Sequence, residues 1–237
     1  MNSTLTPLLI AGTAAIATAD TLYLQDFETN GLNYTTSVTE FSDGNQDFWG
    51  NSGGISFNSS VVYNGADGEY FAGMDLDGEG ATPPLYLTTS AIDISNTNNL
   101  QFAIDLAEDD ASNGDEDWDE SDFVHFEYNV DGAGWVNIFS VLWEGPSSPG
   151  DESNELPQVN GTEITDTFAT FSSALAGITG TSLQLHVAWD LNSGDEDLAI
   201  DNILLSGDRI AVVPLPSAAF AGLGLLGAMG AYRRIRA

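Results

Sequence analysis

The sequence predicts an all-β protein: one antiparallel β-sandwich between an N-terminal signal peptide and a single C-terminal hydrophobic helix. Three observations predict it. Apolar and polar residues alternate with a period of two in run after run between Leu22 and Leu205. Gly, Asn and Asp punctuate those runs, and none of them keeps a helical spacing. The two ends differ from this middle, being apolar, small-residue segments without acids.

The N-terminal segment comes first. Leu5 to Ala19 is short and apolar and ends in Ala17-Thr18-Ala19, an A-x-A cleavage pattern, so residues 1–19 read as a secretory signal peptide cut before Asp20. Met1 to Thr6 contains no Lys or Arg, which leaves the α-amino group as the only positive charge there.

Residues 20–208 read as the folded domain. Leu100, Phe102, Ile104 and Leu106 alternate with Gln101, Ala103 and Asp105. Val124, Phe126, Tyr128 and Val130 alternate with Phe123, His125, Glu127 and Asn129. Leu183, Leu185, Val187 and Trp189 alternate with Gln184, His186, Ala188 and Asp190. Asp131-Gly132-Ala133-Gly134 reads as a hairpin turn before Trp135. About nine or ten short strands of this kind, with turns between them, indicate a jelly-roll, lectin-like sandwich. Residues 146–157 read as the long loop.

Charge is the outlier. The net charge is -32, from 36 acids against four Lys and Arg. There is no lysine, and between Asp20 and Asp208 there is no arginine either. Such a chain repels itself, so screening by salt or neutralisation by bound cations must offset the repulsion. Adaptation to a salty environment and specific divalent binding both fit. Nucleic acid does not fit as a partner, because phosphate contacts need a basic footprint. With no cysteine, an exported domain has no disulfides, and its core or a metal must hold it.

Residues 209–237 read as a sorting tail. Val213-Pro214-Leu215-Pro216 opens it, a segment of Ala, Gly, Leu, Phe and Met follows from Ser217 to Tyr232, and Arg233, Arg234 and Arg236 close it. About sixteen helical residues at 1.5 Å rise span roughly 25 Å, which long arginines extend by snorkelling. This layout resembles the PEP-CTERM sorting signal of bacterial exported proteins, with Leu215 where the name-giving motif has glutamate. The resemblance implies an exosortase-type membrane protease as partner, the inner membrane as anchor before processing, and an address at the cell surface or in an extracellular matrix.

The acids in strands carry the candidate chemistry. Asp26-Phe27-Glu28 closes the first strand, and Ala199-Ile200-Asp201-Asn202-Ile203 lies in the last. An acid inside an apolar strand is costly unless paired or coordinated. With no cation in the domain, a hard metal such as calcium, taking six to eight oxygens, is the natural partner. These motifs, with Trp49 between them, resemble MAM-type and carbohydrate-binding-module jelly rolls. Tyr70 to Asp77 and the pair Asp195-Glu196 are similar to a related module of bacterial secreted proteins. The resemblance implies a structural Ca2+ near the terminal strands, with Glu28 and Asp201 as ligands, Asp26 next, and Asp75 and Asp77 behind them.

Nine acids in the fifteen residues from Glu108 to Asp122 read as a solvated loop. Trp118, within it, is the tryptophan expected to be exposed. Trp49, Trp118, Trp135, Trp143 and Trp189 are candidates for a sugar-stacking platform, and His125, Glu127 and His186 share one strand face that can line a binding surface. Catalysis has little support: there is no thiol, no G-x-S-x-G, no H-E-x-x-H, and only two histidines. The expected function is therefore non-enzymatic, an exported surface or matrix module with extracellular polysaccharide as a candidate partner. A purely structural acidic matrix protein and a glycosidase or lyase on a lectin-like sandwich are the alternatives.

Overall fold

A computed structural model describes residues 19–57, 61–109, 118–143, 157–194 and 196–210. The signal peptide, the sorting tail with Val213, Pro214, Leu215, Pro216, Arg233, Arg234 and Arg236, the expected long loop up to residue 156, and Asp195 lie outside the described residues.

Fifteen strands and no helix occur among the described residues, and every strand pairing is antiparallel. One sheet has seven strands. Its order runs β13 (Ala169–Ala174), β8 (Thr97–Ala107), β15 (Asp197–Arg209), β5 (Phe71–Met74), β4 (Phe48–Asn51) and β3 (Phe41–Ser42), with β1 (Asp20–Gln25) also on β15. The other has eight. Its order runs β12 (Thr162–Glu163), β11 (Pro157–Val159), β10 (Val136–Trp143), β9 (Phe123–Val130), β14 (Ser182–Asp190), β6 (Leu85–Thr89) and β2 (Tyr34–Thr36), with β7 (Ile92–Asp93) on β14. The sandwich is as the alternation predicts, with more strands than the nine or ten expected. The extra ones, such as β3, β7 and β12, are two residues long and too short to show a period.

The inward set of each alternating run forms the core. Leu100, Phe102, Ile104 and Leu106 on β8 face Val124 and Phe126 on β9 and Leu183, Leu185, Val187 and Trp189 on β14. Trp49, Phe71 and Trp189 meet edge to face at 4.8–6.0 Å at one end of it. Gly73 on β5 lets Trp189 in: a Cβ there would stand 2.8 and 2.9 Å from its ring carbons. A second, smaller cluster lies on the opposite face of the seven-stranded sheet. Phe48, Ala72, Met74 and Ala199 are covered there by Ile55, Phe57, Tyr63, Tyr70 and Phe168. Strands β4, β5 and the first half of β15 are therefore buried on both faces.

Strand β15 is the spine. Its residues 197–200 pair with β5, and its residues 203–207 pair with β1. The handover falls at Asp201-Asn202, where Asn202 takes a φ of 50° and the register against β8 slips, a β-bulge. This places Asp201 where β5 has ended and β1 has not yet begun.

Candidate functional site

Three carboxylate clusters and one aromatic face answer the sequence-level candidates. The first cluster surrounds the bulge. Asp201 is 2 % exposed and stands opposite Asp105 on β8. Its Oδ1 accepts from the backbone N of Asn202 at 2.7 Å, and the N–H of Asp67 also serves it. Asp105 accepts from Asn202 Nδ2 at 3.0 Å and from the Thr170 hydroxyl. Glu28 Oε1 accepts from the backbone N of Glu69 at 3.0 Å, in the space left by Gly68, where a Cβ would overlap that oxygen at 1.8 Å. Burial first, then the negative charges of Asp105 and Glu28, push the Asp201 carboxyl up to about 7 against the pull of the two backbone donors. Glu28 and Asp201 are thus electrostatic neighbours. Asp26 instead accepts from the backbone N of Glu28 at 3.3 Å, which stabilises its own turn.

The second cluster contains Asp75 and Asp77. The fold adds two acids from distant strands, Asp47 before β4 and Asp190 at the end of β14. Asp75 adopts a φ of 43°, and its carboxyl rises to about 7 through burial, then through Asp47 and Asp77. The Asp190 carboxyl is raised by burial and by Asp77.

The third cluster stands at the two ends of the acidic run expected as a solvated loop, whose residues 110–117 lie outside the described residues. Both of its ends are buried. Glu108 and Trp118 are fully enclosed and Asp122 is 3 % exposed. Trp118 is core, so it cannot be a surface platform: its side chain is fully buried within the main hydrophobic cluster.

Among the described residues, no three His, Asp or Glu side chains stand as a ready-made metal cage. The donor sets are nonetheless hard oxygens. Arg209, the only Lys or Arg among the described residues, acts on Asp93, near the other end of β15.

The aromatic face is the outer surface of the eight-stranded sheet. The register sets its residues in rows. Thr88, His186, Glu127 and Asn137 form one row across β6, β14, β9 and β10. Tyr86, Ala188, His125 and Ser140 form the next. Asp190, Phe123, Leu142 and Gln158 form a third, which reaches β11. The shared face expected for His125, Glu127 and His186 is therefore real, and the fold adds Tyr86, Asn137 and Ser140, which the sequence does not single out. The alternation of Leu85–Thr89 is the one signal for Tyr86.

Trp135 completes this face. The chain turns at Asp131, in the left-handed region with φ 50°, and at Gly132 with φ 77°. It then lays the Trp135 indole 4.3 Å from the His186 ring, whose other neighbour is Tyr86 at 4.7 Å. Trp135 remains 40 % exposed, whereas Trp49, Trp118 and Trp189 are buried and Trp143 packs against the core. Burial holds the His186 imidazolium down to about 4, so the ring is neutral at pH 7. Glu127 Oε2 lies 3.5 Å from its Nδ1. His125 stacks on Phe123 at 4.2 Å, and its Nδ1 is 2.7 Å from Ser140 Oγ. Burial lowers its pKa while Glu127 pulls the other way. Beside these rows, between β10 and the β11–β12 turn, a cleft of about 450 Å3 is lined by Asn137, Ser140, Leu142, Gln158, Asn160 and Gly161 among others. The face thus offers one exposed indole, amides, a hydroxyl and a carboxylate, with no basic side chain at neutral pH.

No family model matches the sequence, and no characterised protein matches it. Solved structures resemble the fold. The CBM22-1 xylan-binding domain of Paenibacillus barcinonensis Xyn10C is 9 % identical, covers 83 % of this chain and all of its own, and gives a TM-score of 0.42. The K3 cleaved adhesin domain of Lys-gingipain from Porphyromonas gingivalis W83 is 12 % identical, covers 79 % of this chain and 99 % of its own, and gives 0.39. A Stig cyclase, Fisc from Fischerella sp. TAU, is 12 % identical, covers 82 % of this chain and all of its own, and gives 0.46. All three TM-scores are below 0.5.

Proposed function

We propose that the protein is an exported, non-catalytic surface or matrix module that binds an uncharged glycan on the outer face of its eight-stranded sheet. The observation that carries this reading is Trp135. An indole 40 % exposed, packed on His186, which Tyr86 backs in turn, is the group that the C–H face of a sugar ring stacks on, and Glu127 and Asn137 lie in the same row of the sheet as His186. Amide and carboxylate neighbours supply hydroxyl partners. A polyanionic glycan is disfavoured, because the face has no cation and the chain carries -32. Export, exosortase-type processing and a transient inner-membrane anchor rest on the two terminal segments.

Structural calcium belongs to the same proposal. Glu28, Asp105 and Asp201 are hard oxygen donors crowded at one bulge without a basic partner there, the chemistry calcium takes. Asp75, Asp77 and Asp47 offer a second set of the same kind. Calcium at either place would supply the positive charge the domain lacks.

Affinity electrophoresis through gels of neutral polysaccharides tests the glycan reading. The parent should be retarded in at least one gel, and Trp135→Ala should run freely in it. A parent that is retarded in none leaves the acidic matrix protein, favoured by the 36 acids, as the function. A Trp135→Ala variant retarded like the parent moves the site elsewhere.

A further inference from the structure

Two carboxyl groups lie almost wholly inside the protein at one junction. Asp122, in the turn before β9, and Glu196, in the turn before β15, are each 3 % exposed. Glu196 Oε2 accepts from the backbone N–H groups of Asn192 and Ser193 at 2.6 and 2.9 Å. Asp122 Oδ2 accepts from the backbone N of Asp119. Asn192 Nδ2 donates to Ser121 Oγ at 3.3 Å, so the two turns lie side by side.

Asp122 Oδ1 is buried and meets no donor. The side chain that interacts with Asp122 is the Glu196 carboxyl, itself an acceptor. Two ionised carboxylates at such a place repel each other and have lost their water. Among the described residues no cation relieves them, and the further charge acting on both is that of Asp119, an acid on the same turn as Asp122. Asp197, next to Glu196 in sequence, is engaged by the Tyr63 hydroxyl at 2.6 Å and the backbone N of Asp109 at 3.1 Å.

A proton is the smallest ligand that satisfies this arrangement. We propose that one proton, held between Asp122 and Glu196, latches the turn before β9 to the turn before β15, and that alkaline pH releases the latch. Its loss leaves two facing carboxylates. The turns then part, and water reaches the buried Trp118, four residues before Asp122. Burial followed by the charges of Glu196 and Asp119 places the Asp122 transition at about 8, so the latch is closed at neutral pH and opens in a mildly alkaline medium. The latch is independent of the glycan reading. Where both hold, opening also loosens the Phe123–His125 end of the outer face.

Carbon-detected NMR of the carboxyl groups, in chelator at constant ionic strength, tests the latch. The Asp122 carboxyl carbon should titrate near pH 8. Amide signals of 118–122 and 191–194 should shift with the same midpoint, with hydrogen exchange there rising beyond its intrinsic pH dependence. Asp122→Asn, which carries no ionisable group, should lose this transition. Glu196→Gln should keep the fold and lower the Asp122 midpoint by more than one pH unit. An Asp122 carbon titrating near pH 4 in the parent overturns the latch. So does an Asp122→Asn variant whose turn amides keep the alkaline transition, or a Glu196→Gln variant with an unchanged midpoint.

Discussion

Replacing Asp201 by Asn changes how stability responds to pH, and the structure gives both the sign and the scale. The Asp201 carboxyl titrates at about 7 in the folded chain, against a reference value of 3.8. Between those values the folded state holds a proton that the unfolded state has released. Stability from this group is therefore full below pH 4 and is lost as pH rises to 7. The slope is about 1.4 kcal/mol per pH unit, so the limit between pH 5 and 7 is roughly 3 kcal/mol. The effective dielectric of a protein interior, well above that of dry protein, reduces this to about half the limit. Asn keeps the shape and cannot ionise. In chelator, urea unfolding of a chain spanning residues 20–210 should show the variant gaining about 1.5 kcal/mol on the parent between pH 5 and 7. A gain of zero, or a variant that loses ground, would refute the account of Asp201 as a carboxyl raised by burial and by Asp105 and Glu28. Adding calcium at pH 8 should stabilise the parent beyond what equal ionic strength achieves. Asp201→Asn should lose most of that extra gain, and Glu79→Gln, an exposed acid apart from the bulge, should keep it.

Other perturbations have equally definite outcomes. Sodium chloride from low to molar concentration should raise the melting temperature by several degrees, because it screens a net charge of -32; a flat profile would mean that bulk repulsion does not limit stability. Gly73→Ala should cost about 1–3 kcal/mol in urea unfolding, since its Cβ would stand 2.8 Å from the Trp189 ring. An unchanged midpoint would show that Trp189 yields freely. Deleting residues 213–237 should turn an envelope-retained protein into a freely secreted one, and identical fractionation of the two forms would remove the sorting role of the tail.

Much of the sandwich is legible in the sequence because burial on one face imposes a period of two. Leu100, Phe102, Ile104 and Leu106 are all core, and so are Leu183, Leu185, Val187 and Trp189. The same period places His125, Glu127 and His186 together on the outer face. It fails where a strand is covered twice. Phe48–Asn51 and Phe71–Met74 show no alternation, because residues between β4 and β5, with Phe168, form a second layer over them. The acid clusters are only half legible. Asp75 and Asp77 are close in sequence, but Asp47 and Asp190 join them through strand pairings that no spacing encodes. Asp105 reaches Asp201 in the same way, through the register of β8 against β15. Trp118 misleads for a related reason: the density of acids around it suggests solvent, while the fold tucks the end of that run against the core.

Glycan binding on the outer face of the eight-stranded sheet can be followed through the indole signals of the tryptophans. In a 15N spectrum each indole N–H reports its own surroundings. Trp135 is the half-exposed ring of the outer face, and Trp49, Trp118 and Trp189 lie in the core. Titration with soluble oligosaccharides from the polysaccharide that retards the protein should move the Trp135 indole signal saturably. The amides of Glu127, Asn137 and His186 should follow it, while the three core indoles stay in place. A saturable titration in which Trp135 does not move, or in which the shifts gather on the seven-stranded sheet, would contradict the assignment of the binding face.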